Sequence, residues 1–161
     1  MGFMLLPVAV MSFFIGLMAV ESGREQDAIT SKSQVISEQS GQSFIAYSGS
    51  VASYQQQNPS FTGVVPPASL NAQFQPTFLA SAGNMITATP LGGRVITCYA
   101  ALPTGAITSA LAASGNDASI GVASGQKWTS AAQIQGLNYT PVALATSVPD
   151  GNIVSVVQIG N

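Results

Sequence analysis

The chain of 161 residues contains no histidine, a single cysteine and few charged side chains, which make up 6% of it. An ordinary soluble protein carries about 25% charged residues, so hydroxyl and amide groups must supply most of the polarity here. Without histidine, and with Cys98 alone, no intramolecular disulfide, zinc cluster or Cys/His dyad can form. The four basic residues are scattered, so no surface can neutralise several phosphates. These absences argue against nucleic-acid binding, and we expect no cofactor.

The remaining polar side chains offer little for catalysis. A serine hydrolase without histidine would need a lysine base. The glycine-rich stretch 114–125 lacks the Lys-Ser/Thr ending of a phosphate-binding loop. Glu21, Glu25 and Asp27 follow an apolar run and are typical of a solvated face beside a membrane, with a metal site as the alternative. We predict that the protein is not an enzyme and has no catalytic, cofactor-binding or metal-binding residues.

Residues 3 to 20 form an uncharged, apolar segment of 18 residues. As a helix this segment would cover about 27 Å, close to the hydrocarbon thickness of a bilayer. No basic residue precedes it, and Leu17 and Ala19 do not form the small-residue pair of a signal-peptide cleavage site. We predict a retained transmembrane anchor over 1–22, with a cleaved signal peptide and a processed pilin stalk as alternatives. The expected lipid-embedded side chains are Phe3, Leu5, Leu6, Phe13, Phe14, Ile15 and Leu17.

Two observations bear on the orientation of this anchor, and they place the domain on opposite sides of the membrane. Arg24 and Lys32 both follow the span, which by the positive-inside rule favours a cytoplasmic domain. The charge-poor composition, rich in serine, threonine, glutamine and asparagine, is more typical of exported bacterial proteins.

An extended helix is predicted over 23–58, because the stretch lacks proline and its apolar residues recur at spacings of three, four and seven. Asn58-Pro59 is expected to end it, since the residue before a proline is disfavoured in a helix. One face of the helix is apolar and must bury against something. Unless that face is wholly internal, we predict a partner interface made by Phe44, Tyr47, Val51 and Tyr54.

Residues 59–161 are predicted to form a small α+β domain with an antiparallel sheet. A short helix is expected over 68–74 and a second helix over 103–114. The expected strands are a hairpin at 84–90 and 94–100, a second hairpin over 118–130 that turns near Gly125, and a closing strand within 149–160. The fold class is therefore α+β: a transmembrane helix that continues into a long helix, then this domain.

Two kinds of side chain keep alternatives open. Cys98 lies in a predicted strand and is expected to be a small buried hydrophobe, with an intermolecular disulfide as the alternative. The aromatic residues Tyr99, Trp128 and Tyr139 are expected in the core or in cross-strand pairs, with a ligand or partner surface as the alternative.

Three motifs carry a family resemblance. They are a Tyr-x-x-x-Asn-Pro-x-Phe-x-Gly run at 54–63, a Leu-x-x-Ser-Gly-x-x-x-x-Ile-Gly run at 111–121, and a Pro-Asp-Gly turn at 149–151. With the order of segments around them, they resemble the PilM family encoded with type IVb and thin conjugative pili, over nearly the whole chain.

The resemblance implies a single-pass protein of the bacterial inner membrane with a periplasmic domain, acting as a scaffold or adaptor in pilus assembly. The implied partners are other pilus assembly proteins or pilin subunits, and self-association into a homo-oligomer is a further expectation. A pilin-like or minor pilin subunit of the filament is the alternative function.

Overall fold

The computed structural model describes residues 32–70, 73–132 and 138–160. The chain consists of two units, 1–35 and 36–161. Of the first unit, only 32–35 are described, and they are helical and exposed. The predicted anchor over 1–22, with its seven named side chains, lies outside the described residues. Among the helices that are described, none is both long and apolar enough to cross a membrane.

The predicted long helix is helical wherever it is described, from 32 to 57, and we call this stretch α1. Residues 23–31 of the prediction lie outside the described part. The helix ends where the sequence indicated, because Asn58 precedes Pro59. The backbone N–H and the side-chain amide of Asn58 both donate to the carbonyl oxygen of Tyr54, each at 3.0 Å. These bonds satisfy an acceptor of the last turn.

Within the described residues, six strands form one sheet in the order β1-β2-β6-β3-β4-β5, and every pairing is antiparallel. The last strand lies between β2 and β3, so the C-terminal residues join the two hairpins into one sheet. In chain order the strands are β1 Ala82–Ala88, β2 Arg94–Ala100, β3 Ile120–Ser124, β4 Lys127–Ser130, β5 Val142–Ala143 and β6 Ile153–Ile159.

Both predicted hairpins are present. The β3–β4 turn is formed by Gly125 and Gln126, whose φ angles of 57° and 61° are those of the two-residue turn that suits the twist of paired strands. The β1–β2 hairpin turns through 89–93, where Gly92 has a φ of 90° and the Thr89 N–H donates to the Gly93 carbonyl oxygen at 2.9 Å. The turn residues therefore fix the register of both hairpins.

The short helical pieces differ from the prediction. Instead of a helix over 68–74, there is a 3₁₀ turn at Pro67–Ser69 and one helical turn, α2, at Pro76–Leu79. A proline opens each piece, which is the position where its missing N–H costs nothing. The predicted helix at 103–114 is present as α3, Ala106–Ala113. No pattern in the sequence indicated β5, which has only two residues.

The main core lies between α1 and α3 on one side and one face of the sheet on the other. Side chains of the strands alternate between the two faces, so Ile86, Ile96 and Ile153 all point at the helices. The opposite face carries a smaller cluster formed by Ala123, Val154 and the loop residue Val148. These layers confirm the α+β class.

Candidate functional site

The structure corrects the predicted partner interface. Phe44, Tyr47 and Val51 are almost completely buried in the main core, so they are not available to another protein. Tyr54 is half-buried, and its ring packs edge-on against Phe61 with a centroid distance of 5.2 Å. The apolar face of α1 is therefore internal, because the sheet of the same chain supplies its partner.

A buried polar network explains why one of these residues is a tyrosine. The amide nitrogen of Asn84 donates to the Tyr47 hydroxyl at 2.8 Å and to the Val65 carbonyl oxygen at 3.0 Å. The amide oxygen of Asn84 accepts the Val65 N–H at 2.7 Å. Burial raises the pKa of Tyr47, and the hydrogen bond from Asn84 partly opposes that rise. The network connects α1, the loop after it and β1.

Cys98 is buried in β2, as the sequence predicted. Desolvation raises the pKa of its thiol to about 12. At neutral pH the thiol therefore stays protonated, and thiol chemistry requires the thiolate. The burial also speaks against the alternative of an intermolecular disulfide while the domain is folded.

One Ser-x-x-Lys run is present, from Ser124 to Lys127. The two residues face each other across the β3–β4 turn, and both are exposed. A serine nucleophile is activated by an adjacent base, and a lysine acts as that base when it is desolvated. Lys127 is exposed, so desolvation does not activate this pair. No group of three potential metal ligands occurs in the described parts of the chain.

Two of the three aromatic residues that kept two alternatives open, Tyr99 and Trp128, lie on the second face of the sheet. Tyr99 and Trp128 pack against the cluster around Val154. The ring of Tyr99 lies across Gly83, its cross-strand partner, and leaves no space for a side chain there. Cross-strand packing therefore accounts for Tyr99 and Trp128. The hydroxyl of Tyr139 is buried with no hydrogen-bond partner.

Both edges of the sheet are blunted. Gly63 exchanges backbone hydrogen bonds of 2.8 and 2.9 Å with Ile86. The Asn84 side chain accepts a hydrogen bond from the Val65 N–H. The loop that contains Gly63 and Val65 therefore covers the outer edge of β1. At the opposite edge of the sheet, β5 is two residues long, and the exposed Lys127 lies on the neighbouring strand β4. Short strands and lysines disfavour the addition of a foreign strand.

Within the described part of the chain, two apolar surface features lie at opposite ends of strands β2 and β6. The first is the β1–β2 turn, residues 89–93, which we call the hairpin knob because Leu91 is 82% exposed there. The second is a cavity of about 300 Å³ at the other end, which we call the end groove. Its apolar lining consists of Leu102, Pro103, Ile107, Val122 and Ile153.

The start of α3 positions the end groove. Ser37 of α1 donates its hydroxyl to the Thr104 carbonyl oxygen at 2.7 Å and so holds the loop that enters α3. Gly41 lets the two helices touch, since a Cβ there would lie 2.6 Å from the Ala106 carbonyl oxygen. Sequence reasoning missed the groove because its lining comes from three separate segments, 102–107, Val122 and 151–153. It also missed Asn84, which looked like an ordinary strand residue.

These observations define a small α+β domain in which a long helix packs on an antiparallel sheet. The hairpin knob and the end groove lie at opposite ends of strands β2 and β6. The model of the PilM family matches residues 9–156, so the chain belongs to the PilM family of pilus biogenesis proteins. No curated protein sequence matches the chain.

A solved structure has the same fold. It is a putative protein PilM from Escherichia coli B7A, which is similar over 75% of this chain and 90% of its own, with a TM-score of 0.55 and 17% identity. At that identity the likeness supports the fold.

Proposed function

We propose that the chain is an inner-membrane-anchored, non-enzymatic component of a type IVb or thin conjugative pilus assembly apparatus. Membership of the PilM family is the observation that carries the proposal. The family match begins at residue 9, inside the apolar run 3–20, so the family pattern includes part of the proposed anchor. In this proposal the run holds the chain in the membrane, and the domain lies in the periplasm.

The contacts that such a component needs must come from its surface, because the apolar face of α1 is buried. Ile36, Val64 and Val142 are exposed apolar side chains of the domain. Other pilus assembly proteins or pilin subunits are the proposed partners. Cys98 is protonated and buried, and Ser124 and Lys127 are exposed, which supports a role in binding rather than catalysis.

The test is site-specific photo-crosslinking in intact cells that assemble the pilus. A crosslinking amino acid is placed at Ile36, Val64 or Val142, with the exposed Gln56 as the control position. We expect adducts with other pilus proteins from at least one apolar position and none from Gln56. Adducts only with proteins unrelated to the pilus would contradict the proposal.

The alternative function, a pilin-like or minor pilin subunit, makes a different prediction. Such a subunit would be shortened before Phe3 and would be recovered in sheared filaments. Intact-mass measurement and filament preparation separate the two functions. An unprocessed chain that stays with the inner membrane supports the assembly component.

A further inference from the structure

The hairpin knob and the end groove lie at opposite ends of the same strands. Strand β2 begins at Arg94, directly after the knob, and ends at Ala100, two residues before Leu102 of the groove. Its neighbour β6 begins at Ile153, which also lines the groove. Seven residues of strand span about 20 Å. One molecule therefore presents an apolar projection and an apolar recess on two surfaces that cannot meet within it.

The sizes of the two features match. An engineered apolar cavity of about 150 Å³ is large enough to bind benzene. A groove of about 300 Å³ has room for one or two aliphatic side chains, and it is at the small end of the range that small-molecule sites occupy. Pro90 and Leu91, both exposed at the tip of the knob, are two such side chains.

Charge at the two ends is complementary. Arg94 stands at the base of the knob, where its guanidinium donates to the carbonyl oxygens of Gly92 and Gly93 at 3.2 and 2.9 Å. Asp150 precedes Gly151 at the rim of the groove, and its carboxylate accepts the Gly125 N–H at 2.8 Å while remaining exposed. Lys127, on the strand that follows Gly125, carries the opposite charge to Asp150. The attraction between Asp150 and the Arg94 of a second molecule is therefore short-ranged and modest.

We propose that the domain associates with a second copy of itself, with the hairpin knob of one copy seated in the end groove of the next. The contact is heterologous, since it joins two different surfaces, and it leaves a free knob and a free groove on every pair. Such a contact builds open chains, or rings where the rotation between neighbours closes, rather than a two-fold dimer. The proposal rests on the domain alone and does not depend on the anchor.

The first test is a disulfide between two full-length chains in detergent micelles. One chain carries Leu91→Cys and the other, with a different tag, carries Val122→Cys. Mild oxidation is expected to join them, since Val122 lines the groove and is 37% exposed. The control replaces Val122→Cys by Val64→Cys, which is more exposed at 56% but lies outside the groove. Equal yields with both partners would overturn the proposal.

The second test is sedimentation of the full-length chain over a range of concentrations. We expect a ladder of species for the wild type and at least a tenfold weaker association for Leu91→Ser, with Val64→Ser unchanged. Asp150→Asn keeps the acceptor for Gly125 and should weaken association less than Leu91→Ser does. A chain that stays monomeric, or a ladder that Leu91→Ser leaves unchanged, refutes the contact. So does association that appears only when another pilus protein is added.

Discussion

Asn84 is the residue on which the contact between the long helix and the sheet depends. Its single side chain satisfies the backbone N–H and carbonyl of Val65 and the hydroxyl of Tyr47, all of them buried. Because it pairs with Val65 as a neighbouring strand would, the loop can lie along the edge of β1 without a regular ladder. A buried amide is tolerated here since its polar atoms have partners.

Replacing Asn84 with alanine should lower the free energy of unfolding by about 2–4 kcal/mol. Truncation leaves both backbone groups of Val65 without their partner in a dry site, and each such loss costs about 1–3 kcal/mol. Chemical denaturation measures the change, with the exposed Asn138→Ala as the control. A loss no larger than the control's would mean that water replaces the side chain.

Cys98 gives the domain a stability that depends on pH in the alkaline range. Burial raises the pKa of its thiol from 9.0 to about 12. A raised pKa in the folded state means that the contribution is complete below pH 9 and is lost as the pH rises towards 12. We expect the free energy of unfolding to fall in this window, and to fall less steeply in Cys98→Ala. Equal slopes for the two proteins would show that other groups dominate.

At the scale of elements, the decisive contact is the one between α1 and α3. A Cβ at Gly41 would lie 2.6 and 2.7 Å from backbone atoms of Ala106 and Ala110, which cannot move aside. Glycine is in general a poor helix former, so its intrinsic preference does not explain its place in α1. The structure supplies the reason for its presence, which is the close approach of two helices.

Alanine substitutions at two glycines of α1 test whether the close approach of the helices explains Gly41. Gly41→Ala should destabilise the domain by about 1–3 kcal/mol through overpacking, although alanine favours the helix. Gly49→Ala, on the same helix with nothing within 4 Å of the new methyl group, should be neutral or stabilising by up to about 1 kcal/mol. Thermal or chemical unfolding measures both. If the two variants change stability equally, the helices are not in tight contact.

For the whole molecule, the apolar run and the domain are expected to be separable. Among the described residues the hydrophobic core begins at Phe44, and removing 3–20 leaves all of these core residues in place. We expect the shortened chain to leave the membrane fraction and to keep its free energy of unfolding within about 0.5 kcal/mol. A leucine run of the same length should restore membrane association. An intact chain recovered in the soluble fraction would contradict the anchor.

The elements whose signals are local follow from the sequence alone. Helical spacing predicted α1 and α3, and Asn58-Pro59 marked the end of α1. Turn residues predicted both hairpins, because a glycine adopts the positive φ that each turn needs, at Gly92 in the longer β1–β2 turn and at Gly125 in the two-residue β3–β4 turn. The turn and packing motifs also carried the family resemblance. These features depend on backbone preferences within a few residues, which a sequence contains in full.

Which surfaces are available to a partner depends on long-range packing, and the sequence pattern does not show it. The apolar face of α1, predicted as a partner interface, is covered by the sheet of its own chain, and periodicity cannot distinguish an internal partner from an external one. β6 lies in the middle of the sheet although it comes last in the chain. The knob and the groove are likewise made by residues far apart in sequence, since long-range packing alone brings such segments together.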